Sequence, residues 1–228
     1  MSNPNKIKSR SHDLGTQFNE VLISVFGLEK RDYFQSLTFT QLLKLKQVLA
    51  RINDTVTLQL TFDLVDWIAG RFDFSPDQKS ALWKQVDDQS ANSSGFDLIW
   101  NYPRIIAEVK GCIPVNGGNE FGRAQVKGLT DDVLQMLGLP AKGKTKEQLS
   151  KRSKVHQDNA KAIKLLALYD SPEVRNATAK WTKSVEKEQW FKELRPPCSI
   201  QESPHEGQLD ANKVYLIYLS GSRNALQP

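Results

Sequence analysis

The stretch that most constrains this chain is GFDLIWNYPRIIAEVKG, Gly95 to Gly111. Two short apolar runs, Phe96-Leu98-Ile99-Trp100 and Ile105-Ile106-Ala107-Val109, are separated by Asn101-Tyr102-Pro103-Arg104. Asn and Pro between two apolar runs signal a turn, so the stretch predicts a β-hairpin. Strand side chains alternate faces, which puts Ile106, Glu108 and Lys110 on one side and Ile105, Ala107 and Val109 on the other. Both faces begin apolar, the pattern of a strand deep in a sheet. Charges in such a strand need a partner or a task, because burying them unpaired is costly.

The neighbouring strand carries Asp97. Two carboxylates on adjacent strands can hold a divalent cation through hard oxygen ligands, with the Val109 carbonyl as a third. Lys110, two residues past Glu108, would face the same place. There it could orient or deprotonate a water, or steady the charge of a developing phosphorane.

Asp97, followed eleven residues later by Glu108-Val109-Lys110, resembles the PD-(D/E)XK phosphodiesterase superfamily, which includes many restriction endonucleases. The resemblance implies that Asp97 and Glu108 bind Mg²⁺, with Mn²⁺ as a substitute, and that Lys110 assists the attacking water. Gly95-Phe96 stands where the family often has a proline. Several such nucleases carry an acid on the first helix, and by resemblance Glu20 is an auxiliary ligand. Some place a Gln or Lys on the helix after the Glu-x-Lys strand. Gln125 and Lys127 fill that place loosely, and Leu129 replaces the Tyr of one subgroup.

A chain of 228 residues can bury a full core. Its net charge of +5 and pI near 9.1 suit a polyanionic partner. Cys112 and Cys198 form no CxxC and no metal pattern, as expected for a reducing, intracellular setting. The start, MSNPNKIKSRSH, lacks the apolar core of a signal peptide, and no run reaches the length of a membrane span. A soluble, cytoplasmic protein that meets no membrane is expected.

In chain order, residues 1–11 predict a flexible basic tail. Asp13 caps a helix to about Phe26, and a second helix runs from Thr38 to Ile52. A third, capped by Asp54 or Thr55, ends at Gly70, and Ser75-Pro76 opens a fourth. Phe121 to Leu137 and Val155 to Tyr169 read as helices, and Ser171-Pro172 opens one running to Leu194. Residues 199–212 read as loop, and KVYLIYLS from Lys213 to Ser220 as a strand. The expected fold is mixed α/β: a central mixed β-sheet flanked by helices, restriction-endonuclease-like by resemblance. It is read as a single domain, with a mainly helical part at 12–90 and the catalytic sheet core at 91–228.

Gly138 to Thr145, GLPAKGKT, matches the phosphate-loop pattern G-x-x-x-x-G-K-[ST]. Such a loop must follow a buried strand, whereas the preceding residues read as an amphipathic helix, and Pro140 restricts the backbone. No nucleotide cofactor is therefore expected, and a phosphotransferase stands only as an alternative. The lysines have a simpler use. Lys142, Lys144, Lys146, Lys151, Arg152 and Lys154, with Lys127, could grip a phosphate backbone without reading sequence.

The functional expectation is a Mg²⁺-dependent endonuclease acting on double-stranded DNA. Size and resemblance narrow it to a type II restriction endonuclease, commonly a homodimer because a two-fold protein matches a palindromic site. A repair or structure-selective nuclease, or a non-catalytic DNA-binding protein of the same fold, are the alternatives.

Overall fold

The structure, a computed structural model, describes residues 4–88, 95–114, 118–139, 161–194, 198–204 and 206–221, with side chains from residue 12 onward. The chain forms two compact units, residues 1–52 and 53–228.

The first unit holds helix α1 (Pro4–Phe26), a 3-10 turn (Phe34–Ser36) and the beginning of α2 (Phe39–Arg71). Helix α1 starts at Pro4, so residues 4–11, expected as tail, are helical and Asp13 is interior. A proline is well suited to a first helical turn, where its missing N–H costs nothing. One side chain ties α1 to the turn. Asn19 Oδ1 accepts the N–H groups of Tyr33 and Phe34 at 2.9 and 3.1 Å, and its Nδ2 donates to Asp32 at 2.9 Å.

Helix α2 also corrects the reading. The expected break at Asn53 is absent and the helix runs on to Arg71. Asn53-Asp54-Thr55 resemble a cap, but no Gly or Pro stands between Phe39 and Ala69 to stop the helix.

The second unit comprises residues 53–71 of α2, α3 (Pro76–Asp87), β1 (Leu98–Asn101), β2 (Arg104–Lys110), α4 (Arg123–Met136), β3 (Ile163–Tyr169), α5 (Pro172–Val185), α6 (Gln189–Lys192), β4 (Ser199–Glu202) and β5 (Lys213–Leu219). Local signals place several of these. Ser75 accepts the Gln78 N–H while Gln78 accepts the Ser75 N–H, a capping box with Pro76 at the first position. Ser171 likewise accepts the Val174 N–H at 3.2 Å ahead of Pro172.

The five strands form one mixed sheet in the order β1-β2-β3-β5-β4. The β1–β2 pair is the expected antiparallel hairpin, and the other three pairings are parallel. Residues 163–169 are therefore a strand, not the end of a helix. Every residue from Leu165 to Leu168 is fully buried, because helices cover both faces of a parallel strand. An apolar run of that length cannot be told from a buried helix by periodicity. Residues 155–160 lie outside the described residues. Strand β4 replaces part of an expected loop, and the helix expected to run to Leu194 divides into α5 and α6.

The sheet separates two cores. Leu64, Ile68 and Leu82 of α2 and α3 pack with Ile105, Ala107, Leu165 and Tyr215 on one face. Leu129 and Val133 of α4 and Val174 and Trp181 of α5 pack with Ile106, Leu166 and Leu216 on the other. The helices at 53–87 thus complete the core of the sheet unit. Among the described residues, no helix is long and apolar enough to cross a membrane.

Candidate active site

Asp97 immediately precedes β1, and Leu98 pairs with Ala107, so Asp97 and Glu108 stand beside each other where β1 begins and β2 nears its end. Asp97 Oδ2 accepts the Val109 N–H at 2.7 Å, which pins the carboxylate to the neighbouring strand. Glu108 is only 5 % exposed. It follows Ile106 on the face covered by α4, so burial is imposed by the strand's alternation. Lys110 Nζ lies 3.5 Å from Glu108 Oε2. The hairpin therefore brings together all three residues of the Asp…Glu-x-Lys pattern.

A fourth residue comes from α4. Asp132 Oδ2 lies 3.1 Å from Lys110 Nζ. The pair is close enough for an ion pair but lacks the angular geometry of a hydrogen bond, which leaves this buried oxygen with no hydrogen-bond donor among the described residues. The sequence reading missed Asp132. It lies seven residues after Gln125, two helical turns along one face, flanked by the buried Leu129, Val133 and Met136, but nothing in that spacing ties it to Lys110. Gln125 itself is committed elsewhere. It accepts the Gly122 N–H and donates to the Ile113 carbonyl, both as part of the entry to α4.

Three carboxylates thus surround one ammonium, and the titration behaviour records the imbalance. Burial, then the charge of Asp97, pushes the Glu108 pKa up to about 8, against the opposing pull of Lys110; Asp132 and a hydrogen bond to Asp97 add to the rise. Burial also raises the Asp132 carboxyl, partly offset by Lys110. For Lys110, burial favours the neutral amine, but Asp132 and Glu108 together outweigh it and raise its pKa above the ordinary lysine value. Lys110 is therefore an ammonium near neutral pH. It can donate a proton or stabilise negative charge, and in this state it does not act as a base.

The donor set fits a divalent cation in one specific way. Among the described residues, no three His, Cys, Asp or Glu side chains gather closely enough to hold an ion by themselves. Asp97 and Glu108 with the Val109 carbonyl offer a partial shell. Mg²⁺ usually takes one or two carboxylates and completes its shell with water and substrate phosphate. The surplus of carboxylates over ammonium is the charge such an ion would balance.

The other candidates belong to the first unit, to the exposed surface of α4 or to residues outside those described. Glu20 is an exposed residue of α1 in the first unit. Lys127 is exposed on α4 and pairs with Asp131. Lys142, Lys144, Lys146, Lys151, Arg152 and Lys154 lie outside the described residues, as does the phosphate-loop pattern from Pro140 to Thr145. Its first glycine is described, and it ends a helix. Gly138 has φ +74, its N–H donates to Gln135 and the Leu139 N–H donates to Leu134. That is a Schellman cap on α4. A phosphate loop follows a strand, so the element before this pattern is the wrong kind.

Comparison with protein-family models, with curated proteins and with solved structures finds no match for this chain.

Proposed function

We propose that this protein is a metal-dependent endonuclease that hydrolyses DNA phosphodiester bonds, with a restriction-endonuclease-like fold and a PD-(D/E)XK site. The carrying observation is the convergence of Asp97, Glu108 and Lys110 at one end of the β1–β2 hairpin. The crossover from β2 through α4 to the parallel strand β3 supports the same reading, since it delivers Asp132 to the cluster.

Asp97, Glu108 and the Val109 carbonyl are the residues that would hold Mg²⁺ or Mn²⁺. When bound, the ion supplies Lewis-acid polarisation of the phosphate and a more acidic water. The protein's own groups do the rest. Asp97 is fixed in place by the Val109 N–H, and Glu108 gives up its proton for the carboxylate form. Lys110 offers an ammonium beside the developing charge on the phosphate. Asp132, 3.1 Å away on α4, holds that ammonium. Basic residues from Lys142 to Lys154 supply sequence-independent phosphate contacts, so binding weakens as salt rises. Double-stranded DNA with a short specific site, as for a type II restriction endonuclease, is the narrower form of the proposal.

Plasmid DNA incubated with the protein and Mg²⁺ tests it. Discrete fragments support the restriction reading, and a smear supports a non-specific nuclease. Asp97→Ala, Glu108→Ala and Lys110→Ala should each lose cleavage yet still bind duplex DNA in Ca²⁺. Glu20→Ala in the same assay tests the auxiliary role implied by the resemblance. Absence of cleavage by the unaltered protein in both Mg²⁺ and Mn²⁺ would overturn the proposal.

A further inference from the structure

Strand β4 stops before the strand it flanks. It pairs with β5 from Ser199↔Lys213 to Glu202↔Leu216, while β5 continues to Leu219. The Ser203 N–H still donates to the Leu216 carbonyl at 3.1 Å. In a strand the N–H and C=O of one residue point the same way, and alternate residues share that direction. The Tyr218 peptide therefore faces the same side as that of Leu216, past the end of its neighbour. Among the described residues no backbone group on that side accepts its N–H.

The gap is a cavity of about 260 Å³, lined by Arg71 from the end of α2, Arg175 from α5, Glu202 and Ser203 from the end of β4, and Tyr218. The two guanidinium groups differ. Arg175 is neutralised and fixed. Its Nε and Nη2 donate to the two oxygens of Asp170 at 2.6 and 3.0 Å, Nη1 lies 3.4 Å from Glu202 Oε1, and Cζ sits 4.0 Å over the Tyr218 ring. Arg71 donates from Nη2 to the Gly207 carbonyl, but its Nε is buried with no hydrogen-bond partner among the described residues. No carboxylate of those residues pairs with it. A partly buried charge in that condition calls for a counter-ion.

The cavity thus gathers a guanidinium without a counter-ion, a peptide N–H without an acceptor, and the Ser203 hydroxyl, whose one acceptor is the Pro204 carbonyl at 3.5 Å. Donors outnumber acceptors, which suits an oxyanion. The opposing charge is Glu202, whose side chain is 62 % exposed and touches Arg175 only at 3.4 Å. About 260 Å³ is below the range of roughly 300–1,000 Å³ for pockets that take drug-sized molecules, so the occupant is small.

The place in the sheet is equally specific. Lys110 pairs with Leu168, and Leu168 with Tyr218, so Tyr218 stands level with Lys110 two strands along. At about 4.8 Å per strand their backbones are about 10 Å apart. Strands β2, β3, β5 and β4 are parallel, and the cavity lies at their carboxyl ends, where open α/β sheets bind ligands.

We propose that this cavity binds a phosphate-sized oxyanion through Arg71, the Tyr218 N–H and the Ser203 hydroxyl. The phosphate belongs to a nucleic-acid backbone or to a free phosphate monoester.

Calorimetric titration of the full chain with inorganic phosphate, in metal-free buffer at fixed ionic strength, tests the site without any ion at Asp97 and Glu108. Saturable binding at one site is expected, and Lys110→Ala should leave it in place. Arg71→Met should weaken it roughly tenfold or more, the usual worth of a hydrogen bond to a charged group. Arg71→Lys should recover only part, because an ammonium lacks the planar fork. Urea unfolding followed by tryptophan fluorescence checks that these variants are folded. Glu202→Gln should tighten binding, a gain that a misfolded variant cannot produce. A duplex oligonucleotide then assigns the source. If the backbone is the ligand, the duplex blocks inorganic phosphate and Arg71→Met weakens duplex binding. If a free monoester is the ligand, phosphate binds the duplex-loaded protein as well as the free one. Both outcomes support the site, and neither depends on cleavage. The proposal is overturned by the absence of saturable phosphate binding, or by binding that Arg71→Met leaves intact or Glu202→Gln fails to tighten.

Discussion

Asp132 on α4 holds Lys110 on β2 at 3.1 Å, while Glu108, two residues before it on the same strand, lies 3.5 Å from the same ammonium. One cation therefore couples a helix to the strand whose charges it balances. The coupling locates the Lys110 head group more narrowly than a flexible four-carbon stem would alone.

Asp132→Asn breaks this tether and keeps the side chain's size. Cleavage is expected to fall roughly ten- to hundredfold, the usual effect of removing a group that orients a site residue. Asp132 is also the largest contributor raising the Lys110 pKa. The alkaline limb of the pH–rate profile should therefore move to lower pH. A loss of rate with an unmoved alkaline limb would show that Asp132 serves only the fold.

Glu108 makes stability depend on pH with a sign opposite to that of most carboxylates. Its folded pKa is about 8 against an ordinary 4.5, so the folded state keeps a proton that the unfolded chain has released. Stability is greatest below about pH 4.5 as far as this group is concerned, and it falls as pH rises towards about 8. Each pKa unit is worth about 1.4 kcal/mol, so the full effect is on the order of 4–5 kcal/mol. Glu108→Gln removes the titration. In metal-free urea unfolding the variant should gain on the unaltered protein between pH 5 and pH 8. Parallel pH curves would show that the residue does not titrate in this way.

A divalent ion that binds through the Glu108 carboxylate must displace that proton. Its apparent affinity should rise with pH, by up to about tenfold per unit below pH 8, and binding should release a proton. Calorimetric titration with Mg²⁺ or Mn²⁺ in two buffers of different ionisation enthalpy measures the release directly. Glu108→Gln should abolish it. An affinity independent of pH would place the ion elsewhere.

What the sequence made legible, and what it hid, follows from how local each signal is. The hairpin, α3 and the start of α5 announce themselves through turn residues and caps within a few positions, and all are present. Strand β3 is invisible because burial on both faces removes the alternation that marks a strand. Strand β4 is four residues long on the sheet's edge, too short to carry a pattern. Asp97, Glu108 and Lys110 were found because one hairpin holds them. Asp132 was missed because only the crossover of α4 brings it to Lys110, a relation that spacing along the chain does not encode. The helix expected from Asp54 or Thr55 to Gly70 is present, but its continuity with α2 is hidden, because Asn-Asp-Thr resembles a cap wherever it occurs.

The close approach of α2 to the end of β2 gives a test of how packing positions the site. Gly111 follows Lys110 directly, and a Cβ on it would lie 2.8 Å from Val56 Cγ1 and 3.8 Å from Leu60 Cδ1. The first distance is too short for any real contact, and the stiff, branched valine cannot swing away as a long side chain could. Gly111→Ala should therefore cost about 1–3 kcal/mol, the usual range for overpacking. The displacement should also reach Lys110 and lower cleavage more than an equally destabilising change remote from the site. Val56→Ala removes the opposing methyl, and because Val56 is itself exposed, the single change should be nearly neutral in stability. Together the two substitutions should recover most of what Gly111→Ala loses, with a coupling on the order of 1 kcal/mol or more. Urea unfolding of the two single variants and the double measures that coupling. Strictly additive effects would mean that α2 does not press on the strand end as the structure has it.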